Sequence, residues 1–149
     1  MRLIGAACAG FLIAVLWMDL MFDSQVLSHR GSDEVPDPVL ASIAGYYHRA
    51  TTTSRPMSHL IAVVMAILLG SLAFGFIRGD DPVWLTVVAA ALAGIPILLA
   101  AVRTVRNAVR LGQRVDTAAG QSRLARSIFG DHVLCLVCMS AFLVVWLAG

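Results

Sequence analysis

Hydrophobic and polar positions alternate in long blocks along this chain, not residue by residue. Four apolar runs, at residues 3–22, 57–77, 83–102 and 128–148, are separated by polar connections. Each run is about 20 residues, enough helix to cross the roughly 30 Å hydrocarbon layer of a bilayer. In lipid a spanning segment must satisfy its own backbone, and the runs lack the two-residue alternation of a closed barrel. The pattern therefore predicts an all-α integral membrane four-helix bundle, one domain over residues 1–149. The first run follows Arg2 and ends in Leu-Trp-Met-Asp without a small-x-small cleavage site, so it is expected to be a retained helix.

The connections carry their own signals. In residues 24–56, Asp37-Pro38 is an expected helix start, and Val39, Leu40, Ile43 and Tyr47 recur at helical spacing. A short amphipathic helix lying on the membrane surface is expected there. Ser54 is a candidate cap ahead of Pro56 and the second span. Arg103, Arg106, Arg110 and Arg114 recur three and four apart, so the third span is expected to continue past the lipid to about Gly112. Pro96 should bend it by removing an N–H from the ladder. Asp116-Thr117 is a candidate cap for a helix that runs into the last span. Gly5/Ala9 and Ala6/Gly10 have small-xxx-small spacing, suited to close helix packing inside the bundle or between copies.

Composition sharpens this picture. Hydrophobic residues make up 59% of the chain and charged ones 13%, against about 25% charged in soluble domains. All eleven cations are arginine, which suggests a bacterial genome of high GC content. Nine of them (30, 49, 55, 103, 106, 110, 114, 123 and 126) lie in the first and third connections, against Arg2 and Arg78 on the other side. By the positive-inside rule both connections are cytoplasmic and both termini lie outside, in the plasma (inner) membrane. The bilayer explains the arginine stripe through anionic headgroups, so no nucleic-acid partner is expected.

Candidate chemistry gathers where the runs meet the polar connections. Asp19 and Asp23 are one helical turn apart at the end of the first run. If the topology holds, His59, Arg103, Arg106, Asp131 and His132 sit near the same face, and His48 could fold back onto them. Ionisable groups inside spans are costly and often functional. One reading is structural: Asp19 and Asp23 answer Arg103 and Arg106, and the histidines lock the bundle. Another is a metal or cofactor site drawn from Asp19, Asp23, His59 and His132, whose donors suit Fe, Mn or Zn. A third is a proton- or solute-coupled pathway. No His-x-x-His, His-Glu-x-x-His or Glu-x-x-His spacing occurs, and no cofactor is identified. His59 and His132 each stand near the start of an even-numbered span, a faint internal echo.

Cys135-Leu136-Val137-Cys138 lies inside the fourth run. Over about six residues it resembles the active-site stretch of the vitamin K epoxide reductase family, four-helix membrane oxidoreductases that reduce quinones. The resemblance implies a redox role for Cys135 and Cys138. That family also uses a second, loop-borne cysteine pair, where this chain has only Cys8. The expected function is a non-catalytic accessory or assembly component of a membrane complex, with a membrane-protein partner or a homo-oligomer. The alternatives are a membrane oxidoreductase and a small oligomeric transporter.

Overall fold

The computed structural model describes residues 2–149, the side chain of Arg55 excepted. The described residues form helices and contain no strand: α1 (Arg2–Asp23), α2 (Asp37–Thr52), α3 (Arg55–Arg78), α4 (Val83–Leu99), α5 (Val105–Gln113) and α6 (Ala118–Ala148). A 3-10 segment, Ser24–His29, prolongs α1, and a π-helical turn, Ala100–Thr104, joins α4 to α5 in one rod. Among the described residues, four stretches are long and apolar enough to cross a membrane: Arg2–His29, Pro56–Arg78, Val83–Gln113 and Ala118–Ala148. The protein is thus a small all-α protein with four membrane-length helices. The rods exceed the apolar runs because helix does not stop where hydrophobicity does. Thr117 caps α6 by accepting from the Gly120 N–H at 3.2 Å, eleven residues before the run at 128 begins.

α6 is the central helix, packed on α1 along one side and α4 along the other, while α3 leans on α1 and α4. The core here is Leu12, Leu68, Leu72, Leu85, Met139, Phe142 and Trp146, with Ala9, Ala89 and Ala93 letting the rods approach. Gly5 belongs to this packing. A Cβ on it would fall 2.8 Å from the Trp146 indole nitrogen, so Gly5 and Ala9 serve the bundle itself. The α3–α4 hairpin turns at Gly79, whose φ of 67° is left-handed, the conformation that favours glycine at a helix end. Arg2 fastens that turn to α1 with two hydrogen bonds to Asp81, at 2.9 and 2.6 Å. The Trp146 indole N–H donates to the Arg2 carbonyl at 3.2 Å.

The opposite end differs from expectation. The apolar face of α2 (Leu40, Ile43, Ala44, Tyr47) is not left free to meet lipid; it is buried against Ala108, Leu111, Ala125 and Ile128 of α5 and α6. The reason is that the long rods continue beyond their apolar runs and offer a protein face nearer than lipid. At Gly112 the approach is closest, since an added Cβ would meet the His48 backbone nitrogen at 2.8 Å. Asp37 does not cap α2; its carboxylate is taken by Arg114. Ser54 holds the cap position of α3 without a side-chain capping bond. Arg126 pins the first connection through the carbonyls of Ser32 at 2.6 Å and His29 at 3.1 Å. Pro96 leaves α4 helical, and the wide π turn follows it within one turn. Such π turns are frequent at functional sites.

Candidate functional site

Between the two cores, where α1 and α6 pass from the spanning bundle to the α2 end, the polar side chains converge. Asp23 is fully buried and uses both oxygens. Oδ1 accepts from the Tyr47 hydroxyl at 2.7 Å, and Oδ2 pairs with Nδ1 of His132 at 2.7 Å. One turn earlier, Asp19 Oδ1 accepts from the Tyr46 hydroxyl at 2.5 Å. Asp19 Oδ2 stands 3.9 Å from Nε2 of His132, beyond hydrogen-bond reach. The tyrosines come from α2, the acids from α1 and the imidazole from α6, so three elements build this cluster. Phe22 stacks on Tyr46 with ring centroids 4.1 Å apart and holds that tyrosine toward Asp19.

Burial, the bond to Asp19 and the two nearby carboxylates push the Tyr46 phenol above its ordinary range. Burial, followed by Asp23 and Asp19, does the same to Tyr47. Both tyrosines therefore stay protonated as donors to the acids.

Asp131 precedes His132 in sequence but belongs to a separate pair. Arg103 donates from Nε to Oδ2 at 3.1 Å and from Nη2 to Oδ1, and Thr104 adds a hydroxyl donor at 3.0 Å. This overturns the expectation that Arg103 and Arg106 answer Asp19 and Asp23. The π turn brings Arg103 and Thr104 to α6, while the acids of α1 face α2. Arg106 is exposed and outside the cluster. His48 and His59 are exposed too, so neither joins the site, and the echo between His59 and His132 does not extend to their surroundings. Among the described residues no three His, Cys, Asp or Glu side chains form a metal-holding group. His59 lies apart and Asp23 has no free oxygen, which leaves Asp19 and His132 alone of the four expected ligands.

The cluster closes one end of a cavity of about 250 Å³. Asp19, His132, Tyr47 and Thr104 line its polar end, with Thr51 and Ser58 beside them. The remaining wall is apolar and includes Leu12, Leu16, Ile61, Met65, Pro96 and Met139. Cys135 also faces it; Cys135 and Cys138 are free thiols in the buried part of α6, and the Cys135 Sγ lies 4.0 Å from the Pro96 carbonyl. The sequence reading missed Tyr46, Tyr47 and Thr104. The signal available was the adjacent Tyr46-Tyr47 pair, the only aromatic residues in α2 besides His48. No protein-family model, curated protein or solved structure matches this chain.

Chemically, the arrangement is an imidazole oriented through one nitrogen by a buried carboxylate, its other nitrogen facing a largely apolar cavity that is partly open to the surface. That is how a base or a hydrogen-bonding anchor is positioned. The His132 and Asp19 side chains are themselves largely buried, 9% and 18% exposed, so polar contacts made to them are strengthened.

Proposed function

We propose that this protein binds a lipophilic small molecule within its helix bundle, seating the apolar body among Leu12, Leu16, Ile61, Met65 and Met139 and a polar head against Asp19 and His132. The observation that carries this reading is the cavity itself: apolar along its length and polar at one end, where Asp19 Oδ2 and His132 Nε2 have no hydrogen-bond partner among the described residues. Ligand sites in proteins have this make-up, apolar walls and a few convergent polar groups. A purely structural network has no need of such a space, which loses packing contacts along its whole lining.

The proposal places the protein in the plasma membrane with the α2 end in the cytoplasm and both termini outside, supported by the arginine distribution. It also keeps the role of an accessory component in a larger membrane complex, to which such a binding chamber is a natural contribution. Binding of pyrene, a neutral apolar fluorophore, to the detergent-purified protein tests the chamber. Saturable binding at one site is expected, weakened about tenfold when Ile61→Trp fills the wall. Identical binding by wild type and variant would remove the cavity as the site. Co-purification from the native membrane tests the accessory role, which fails if the protein is recovered alone.

A further inference from the structure

The chemistry of the cavity's polar end selects among heads. We infer that the preferred ligand is a lipophilic amine carried as its ammonium ion; this rests on the binding chamber proposed above and names its occupant.

Two independent features lead there. The first is hydrogen-bond direction. Every hydroxyl at the polar end already donates to the protein: Tyr47 to Asp23 at 2.7 Å, Thr51 to the Tyr47 carbonyl at 2.7 Å, Ser58 to the Ala50 carbonyl at 3.1 Å, and Thr104 to Asp131 at 3.0 Å. The His132 Nδ1–H is directed at Asp23, so in the neutral imidazole Nε2 presents a lone pair. Asp19 Oδ2 presents another. The 3.9 Å between them is a span that one nitrogen atom can bridge, donating to both at ordinary hydrogen-bond length. The polar end thus offers acceptors and asks for a donor with at least two hydrogens.

The second feature is charge. Arg103 neutralises Asp131, while Asp19 and Asp23 face one imidazole between them. Even a doubly protonated imidazole leaves one carboxylate without a counter-charge among the described side chains nearby. An uncompensated charge at such a place is expensive, and it is relieved either by a proton on the carboxylate or by a cation carried on the ligand. An inorganic ion would need several oxygen ligands, which the aliphatic remainder of the wall does not supply. An ammonium on an apolar body fits both ends of the cavity at once.

The test uses two molecules of one shape, 1-adamantylamine and 1-adamantanol, titrated calorimetrically against the wild-type protein in nanodiscs at neutral pH. The amine is expected to bind at least about tenfold more tightly than the alcohol, the usual margin for a charge-assisted bond over a neutral one. Asp19→Asn is expected to weaken the amine about tenfold more than the alcohol, so that the two affinities converge. Equal affinities in the wild type would overturn the inference and leave the chamber standing. Binding of neither molecule, together with no effect of Ile61→Trp on pyrene, would overturn the chamber and the inference with it. An ethanolamine phospholipid presents the same ammonium chemistry, so the titration is run in nanodiscs with and without that lipid. Weaker amine binding in its presence would identify a lipid headgroup as the occupant, and unchanged binding a free amine.

Discussion

Asp131 and His132 are neighbours in sequence, both buried, and belong to two electrostatic regimes. Around Asp131 the chain supplies one full opposite charge and a hydroxyl, and the pair is complete. Around His132 it supplies two carboxylates, two phenols and, among the described side chains, no arginine. The first cluster joins α6 to the π turn and requires nothing further. The second borders the cavity and sets two carboxylates against a single imidazole. The contrast teaches that buried charge in one bundle need not have one purpose: where the chain balances it, it is a clamp, and where it does not, something else must.

Breaking the complete pair should cost most. Arg103→Ala leaves the Asp131 carboxylate, 1% exposed, with Thr104 alone. The unfolding equilibrium constant is expected to rise roughly a hundredfold, as is common when a buried charge loses its partner. Titration with a denaturing detergent, followed by tryptophan fluorescence, measures it. The double variant Arg103→Leu/Asp131→Leu should recover most of the loss, because removing both charges removes the imbalance. A single variant as stable as wild type would mean that the pair contributes nothing. Asp131→Asn is milder, since the half-exposed arginine can turn to water; about 1–2 kcal/mol of destabilisation is expected.

The phenols of the second cluster give a dependence on pH. In the unfolded chain a tyrosine ionises near 10.0, the ordinary value, whereas burial and the adjacent acids raise Tyr46 and Tyr47 above it in the fold. Below pH 10 both states keep their protons and stability is complete. Above it the unfolded state loses protons that the folded state retains, so stability must fall as pH rises. For the buried Tyr47 the slope is about 1.4 kcal/mol per pH unit. Tyr47→Phe should flatten this alkaline slope, read from unfolding midpoints between pH 9.5 and 11. An unchanged slope would remove Tyr47 from the account.

How much of this was legible follows from what sets each feature. The four spans, the long α5 and α6 extensions and the Thr117 cap are local, written in run length, arginine spacing and a capping residue. Asp19, Asp23, Asp131 and His132 stood out because ionisable groups in apolar runs always do. Which acid met which base was not legible. That pairing depends on the rotation of α4 at the π turn, which turns Arg103 toward Asp131, and on α2 folding inward to bring its tyrosines to Asp19 and Asp23. The docking of α2 was misread for the same cause, since its apolar face is equally suited to lipid or to α5. A cavity has no sequence signature at all; it is what remains where Pro96, Ala100 and Ala108 leave the rods short of contact.

The smallest effect on stability draws the sharpest line between the clusters. Asp19→Asn keeps an oxygen for Tyr46 and abolishes one of the two charges facing His132. In a balanced pair such an exchange destabilises, as for Asp131→Asn. In a cluster with surplus negative charge the lost bond strength is offset by relief of the imbalance, so the net change is expected to stay within about 0.5 kcal/mol of zero. The same chemical substitution, made in two clusters contributed to by one helix, should therefore give different results in one denaturation experiment. If Asp19→Asn destabilises as much as Asp131→Asn, then Asp19 is as fully compensated as Asp131. The anionic end of the cavity would then be closed to a cation.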